Sequence, residues 1–578
     1  MRGALLRLLR LVLPVATLLL AAFVVFTTLL CLAESRWAGP VSDFWLFVPK
    51  LAEYEEKGQL WSIAWEAYGG HRLFFPKLFY LLEYGFFGGR NQFLVSCNLA
   101  FQASTAALLV AFTWRRGERL SAAERSFLAA VAVLLLFSGT QLVNFSRGWN
   151  LHHFMACFGV VASLLAFARA CEATKTRAWR WLGVSLAGAV FGSYSMAIAL
   201  PIWPLLLMMA WRARLPRAQL LAVAGVAVVT LGLFFNGHRA ARADAAERRL
   251  DDIPAALHWA AACLGGPLAW SREELGLALV VAALAGVAAA GVALLLSGRR
   301  LRGLEILYFG LVFVGAGAAL LAAYGRVAGH AENWDAHRYQ SFTLLFWLGV
   351  VGVGTLTSAG EGWRRGLRVA LAAGFVFWVG GALLPAHLRE GRQLRDFASR
   401  VRNGHDALLV GVPSRKAYQD SLPKILWRES KPDLAAFSRP WLASREVGMF
   451  AEGRQRRLGL DISADFTAAP SDACEGGFGN LRFVGGAPAF DGHVRGGREI
   501  LVSDAQGRVR GLGRVRSTRL FGPEPEFEGW SGWMEPVARD SVVEVWTLLE
   551  DGRVCRIDGP RPLQERGGKS PRRAGAAR

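Results

Sequence analysis

Residues 11–32 read LVLPVATLLLAAFVVFTTLLCL, 22 consecutive residues without a charged side chain. An apolar helix of about 20 residues matches the roughly 30 Å hydrocarbon core of a bilayer. The run is longer than the h-region of a cleaved signal peptide, so it is expected to be a retained anchor. Ten further runs of this kind follow, near 92–114, 126–143, 153–170, 181–195, 196–211, 219–236, 275–296, 305–324, 341–358 and 369–386. The fold class expected is therefore a polytopic α-helical membrane protein of about eleven spans. Within 181–211 the chain must cross twice in two short halves, and Gly192, Ser193 and Pro201 offer the place to break.

Outward from the first run, the charge pattern gives orientation. The 578 residues carry 66 Lys+Arg against 45 Asp+Glu, a net +21, yet only 19% are charged and 53% are hydrophobic. Such a composition excludes a cytosolic enzyme, a disordered chain and a small disulfide scaffold. The positive excess falls in short tracts between apolar runs: Arg2, Arg7 and Arg10; Arg115, Arg116 and Arg119; Lys175, Arg177 and Arg180; Arg212, Arg214 and Arg217; Arg299, Arg300 and Arg302; Arg364, Arg365 and Arg368. Successive tracts are separated by an even number of spans, as in cytoplasmic loops, so the excess reads as topology and not as nucleic-acid binding. The expected localisation is the inner membrane, multi-pass, with the N-terminus cytoplasmic and everything after residue 387 periplasmic.

Four regions are expected: a transmembrane domain over 1–386 with a long outer loop at 33–91, a mixed helix and loop connector over 387–454, a periplasmic β-sandwich-like domain over 455–560, and a disordered basic tail over 561–578. Two stretches carry hairpin patterns, REILVSDAQGRVRGLGRV at 498–515 and SVVEVWTLLEDGRVCRID at 541–558, with turns at 505–507 and 551–552, and these are expected to belong to a small sandwich or barrel. Cys474 and Cys555 are the two cysteines of this region and are expected to be bridged in an oxidising compartment. Closing a loop of this length contributes about 4–5 kcal/mol in the chain-entropy model.

The polar residues of the outer loops are the candidates for chemistry. Loop 33–91 holds Asp43, Glu66, His71 and Arg72, and its segment 73–88 is apolar with Lys77 and Glu83 set into it, the pattern of a helix lying in the membrane interface. The turn NFSRGWNLHHF at 144–154 supplies Arg147, His152 and His153, and ENWDAHRYQSF at 332–342 supplies Arg338 and Tyr339. Adjacent histidines on a helix are expected to point apart, which argues against a metal site. A carboxylate or imidazole takes the proton of an acceptor hydroxyl, and Arg or His holds a departing phosphate; transfer from a lipid-linked phosphate needs both.

A first span, a large external loop with an early Asp, many spans, broken middle helices and a C-terminal periplasmic domain resemble the GT-C superfamily of integral-membrane glycosyltransferases. The resemblance rests on that architecture with Asp43 in SDFW, GGHR at 69–72 and DAHRY at 335–339. Asp43 stands alone, where many members carry two adjacent acids. The resemblance implies a sugar donor on a polyprenyl phosphate or diphosphate, a glycan or lipid acceptor, Asp43 as base or acceptor-positioning acid, and Arg72 and Arg338 as phosphate ligands. It implies no cofactor, a divalent cation staying open, and no nucleic-acid partner. The competing expectations are a membrane-anchored scaffold or export component of polysaccharide assembly, a transporter or flippase, which would place ionisable groups mid-span, and an O-antigen-type polymerase.

Overall fold

The structure is a computed structural model that describes residues 2–68, 70–118, 120–236, 253–269, 273–296, 303–330, 339–357, 374, 381, 383–410, 439, 442–446, 449–450, 454–469, 473–484, 487–495, 499–516, 528–535 and 541–562. Its contacts divide the chain into two compact units. The first comprises Met1–Ala33, Gln59–Tyr80 and Phe93–Leu394; the second comprises Glu34–Gly58, Leu81–Gln92 and Arg395–Arg578. The expected outer loop 33–91 is thus not one body. Parts of it group with the C-terminal residues.

In the first unit the helices are α1 (Arg2–Glu34), α3 (Leu60–Trp65), the first half of α4 (Phe74–Phe86), α5 (Gln92–Arg116), α6 (Ala122–Leu136), α7 (Leu142–Ser146), α8 (Leu151–Glu172), α9 (Lys175–Ser193), α10 (Ile202–Arg212), α11 (Arg217–Phe235), α12 (Ile253–Ala269), α13 (Glu273–Leu296), α14 (Gly303–His330) and α15 (Gln340–Thr357). Between α3 and α4 lies a two-residue hairpin, β1 (Ala67–Tyr68) with β2 (His71–Arg72). Among the described residues eight helices are long and apolar enough to cross a membrane. They coincide with eight of the expected runs. The pair at 181–211 breaks where expected, α9 ending at Ser193 and α10 beginning after Pro201, but α9 begins in the basic tract at Lys175 and α10 is only 11 residues long. The run 369–386 lies almost wholly outside the described residues. Conversely α12, an apolar helix of 17 residues, occupies part of what reads in the sequence as an outer loop.

Small residues let these helices approach closely, which is how helices pack where lipid removes the hydrophobic drive. A Cβ on Gly159 of α8 would lie 2.7 Å from the Gly192 nitrogen of α9, and Ser163 and Ser185 bond across the same seam at 3.2 Å. A Cβ on Gly352 of α15 would collide with the Tyr308 ring of α14.

The second unit holds α2 (Val48–Lys57), the end of α4, most of α16 (Leu384–Leu409), the short α17 (Ile462–Asp465) and a single sheet. Seven strands, β3 (Glu475–Val484), β4 (Ala487–Arg495), β5 (Glu499–Asp504), β6 (Val509–Arg516), β7 (Glu528–Met534), β8 (Val542–Leu548) and β9 (Val554–Pro562), pair antiparallel in the order β3-β4-β7-β6-β5-β8-β9. Both expected hairpins are present, as β5–β6 and β8–β9, and Gly507 and Gly552 supply the positive φ their turns require. Of the two expectations the sandwich is corrected and the barrel is the nearer: one sheet curls until its edges β3 and β9 approach, and the Cys474–Cys555 bridge ties them. One face buries Phe490, Val494, Ile500, Val502, Trp530 and Val545. The other buries Leu501, Val509 and Leu512 with Ala407 and Val410 from the end of α16.

Beside that contact Arg454 bonds Asp406, Glu499 at 2.7 Å and the Gly513 carbonyl at 2.9 Å, while Arg514 reaches Asp406 at 3.1 Å and Arg457 pairs with Glu499. A buried charge is tolerated only when its lone pairs and protons are met, and here each carboxylate faces two guanidiniums.

Candidate functional site

Several polar residues of the sequence come together in the first unit, beginning with a helix that is amphipathic the wrong way round. The side chains of Leu73, just before α4, and of Lys77, Tyr80 and Tyr84 on it, spaced three and four apart, are buried, whereas Leu82 and Phe86 are exposed. The apolar side faces out and the polar stripe faces in. Lys77 donates to the carbonyls of Ile63 at 2.7 Å and Glu66 at 2.6 Å, closing α3 back onto α4. The Glu66 side chain itself is exposed.

The turn 144–150 is built by a side chain from another helix. Asn98 of α5 donates to the carbonyls of Phe145 at 3.0 Å and Arg147 at 3.1 Å, and Asn150 bonds Asn144 at 3.0 Å. Gln102, one turn along α5, satisfies the Leu136 carbonyl that α6 leaves open at its end. Amide side chains thereby replace the bonds lost where the helix breaks inside an apolar unit. The break throws Trp149, His152 and His153 inward, all buried, with Arg147 half-buried beside them.

Onto this turn close α4 and the β1–β2 hairpin. The Tyr80 ring stacks on Trp149 at 4.9 Å, and its hydroxyl donates to the Trp149 carbonyl at 2.6 Å. Burial pushes the Tyr80 phenol well above its ordinary pKa, with Tyr68 adding to the effect, so it stays a donor. Tyr68, paired with His71 in the hairpin, packs edge-on against Trp149 at 5.2 Å. The His152 Nδ1 stands 2.6 Å from the Trp149 carbonyl. A carbonyl only accepts, so Nδ1 carries the proton and Nε2 keeps the lone pair. The rings of His152 and His153 lie 4.4 Å apart, tilted by 35°. Here the sequence expectation is corrected: the helix begins at Leu151, and its first turn, bent back to Trp149, turns the two rings towards each other.

Arg72 is placed differently from a free phosphate ligand. Its Nε donates to the Phe234 carbonyl at 2.8 Å, one Nη to Trp65 at 2.6 Å and the other to Asn236, with the guanidinium over the Trp65 ring at 4.7 Å. Two of those carbonyls belong to the C-terminal end of α11, where the helix dipole favours a cation. Tyr339 is buried edge-on against Trp259 at 5.1 Å. Asp43 lies in a 3-10 turn, Ser42–Leu46, its side chain outside the described residues, as is the whole of Arg338.

Three participants were not singled out from sequence. Tyr80 shares a helical face with Lys77 and Tyr84, a stripe legible in the spacing. Asn98 and Gln102 read as isolated polar residues in an apolar span, and such residues inside a membrane are the signal. Comparison of the chain with protein-family models, with curated proteins and with solved structures gives no match.

Proposed function

We propose that the chain is a membrane glycosyltransferase that moves a sugar from a polyprenyl phosphate or diphosphate to a cell-envelope glycan or lipid acceptor on the periplasmic face of the inner membrane. The observation that supports this reading most is the gathering of His152, His153 and Tyr80 beside Trp149 within the apolar unit, with His71 in the hairpin whose Tyr68 packs on the same ring. Ionisable groups are costly there and accumulate where chemistry needs them. In the reaction the acceptor oxygen attacks the anomeric carbon, the bond from that carbon to the phosphate oxygen breaks, and the carrier phosphate leaves with the electron pair. The acceptor's proton passes to an imidazole lone pair, His152 Nε2 or His71. Arg147 and Arg338 remain the cations for the leaving phosphate, and Asp43, a residue of the second unit, is the alternative base to the imidazoles. With three of its donors on carbonyls, Arg72 becomes a positioning residue for the hairpin that carries His71.

The test uses the full chain in liposomes with a polyprenyl-phosphate sugar. His71→Ala and His152→Ala are expected to cut transfer by about 10²-fold or more while carrier binding persists. Failure of the wild type to bind or turn over any such carrier removes the transferase reading, and unchanged turnover in both variants removes the imidazoles from it.

A further inference from the structure

In the second unit a cleft of about 410 Å³ opens between three segments: α2, the end of α4 with the turn after it, and the turn at 443–446. Its walls are Leu51, Tyr54, Leu81, Tyr84 and Phe86, and its rim carries Glu55, Arg445 and Glu446. We propose that this cleft binds a neutral saccharide, the acceptor-glycan class of the transfer proposed above, on which that assignment of role rests.

The cleft is held in shape. Glu83, fully buried, accepts the Asn91 amide at 2.7 Å on its carboxylate, and its carbonyl takes the amides of Phe87 and Gly89, so the turn 87–91 is fastened at both ends. Gly88, Gly89 and Asn91 all sit at positive φ there. Tyr84 is fixed edge-on against Phe44 at 5.5 Å. Opposite, Arg445 pairs with Glu55 of α2, joining the 443–446 turn to the helix. Glu446 holds a left-handed backbone, φ 51°, that a side chain rarely adopts, and its carboxylate is gripped by Arg456 at 2.5 Å. A strained residue persists where surroundings over-determine it, and such positions gather at binding sites.

The lining then selects the ligand. The volume falls in the small-molecule range of about 300–1,000 Å³. Aromatic rings that are partly exposed, above all Phe86 at 79%, offer flat apolar faces to the C–H face of a sugar ring, while carboxylate and guanidinium edges meet its hydroxyls. A phosphate fits poorly, because the lining carries two carboxylates to one guanidinium, and Arg445 and Arg456 each already face an acid. The uncharged polyol is therefore favoured over an anionic headgroup.

Purified full-length protein in detergent is probed by saturation-transfer NMR with maltotriose, cellotriose and chitotriose, none of which has a lipid carrier. At least one is expected to receive saturation at its ring protons, to lose affinity by about five- to tenfold in Tyr54→Ala and Phe86→Ala, and to keep it in Tyr54→Phe and in excess inorganic phosphate. No saturation of any trisaccharide by wild type, equal saturation by both alanine variants, or displacement by phosphate overturns the proposal. Trisaccharide binding that persists while no carrier sugar is turned over supports the cleft and removes the transferase reading. Transfer at full rate in a variant that has lost trisaccharide binding overturns the acceptor assignment.

Discussion

The guanidinium of Arg72 has five N–H donors, and those that end on the Phe234, Asn236 and Trp65 carbonyls close the α11 terminus onto the β1–β2 hairpin. Arg72→Ala leaves buried carbonyls unmet and is expected to lower stability by roughly 2–4 kcal/mol, with Arg72→Lys intermediate, as read by thermal unfolding in detergent. An unchanged midpoint in Arg72→Ala would contradict the clamp. A second residue sets a pH dependence. Burial pushes the Glu390 carboxyl up to about 7, against the opposing pull of Arg389. The neutral form is the one the fold favours, so its contribution is complete below about pH 4.5 and is lost as pH rises towards 7. The loss is at most roughly 3 kcal/mol, and Glu390→Gln is expected to flatten the profile over that window. A profile with the same slope in the variant would assign it to other groups.

At the scale of elements, the break between α6 and α8 and the curl of the sheet are each secured by a few distant residues. Cys474 immediately precedes β3 and Cys555 lies in β9, so their bridge ties the two edges that would otherwise present unpaired backbone groups. Cys474→Ser with Cys555→Ser is expected to cost the β unit about 4–5 kcal/mol, seen as an earlier loss of strand signal on heating. Identical melting of oxidised and reduced protein would show that the edges hold without it. Two hairpins of this sheet, β5–β6 and β8–β9, are legible in the sequence, because a turn signal between alternating runs is a local property, whereas β3–β4 is not among those expected from sequence. The strand order is not: β7 inserts between β4 and β6 through pairings set by the whole sheet.

For the whole molecule the open matter is parity. The tracts at Arg212–Arg217 and Arg299–Arg302 are expected on one side of the membrane, so two of α11, α12 and α13 cross between them. α11 and α13 have the length to do so, and α12, with 17 residues, is expected to enter and return or to lie along the surface. Ile253→Cys at the start of α12 and Glu274→Cys at the start of α13 should then react with an impermeant maleimide from the same side. Labelling from opposite sides would make α12 a full crossing and reverse the orientation of α13 and every later span. Composition and periodicity alone determined where the eight apolar helices of membrane length run, that α9 and α10 part near Pro201, and that a β unit with one bridge follows them, because hydrophobic length, turn chemistry and cysteine count act locally. Only tertiary structure decided that the loop 33–91 divides between two units, that Arg72 spends its donors on backbone, and that Tyr80 and Asn98 organise the histidines. Those outcomes depend on which carbonyls a broken helix leaves unmet and which distant side chain reaches them, and no window of sequence contains both partners.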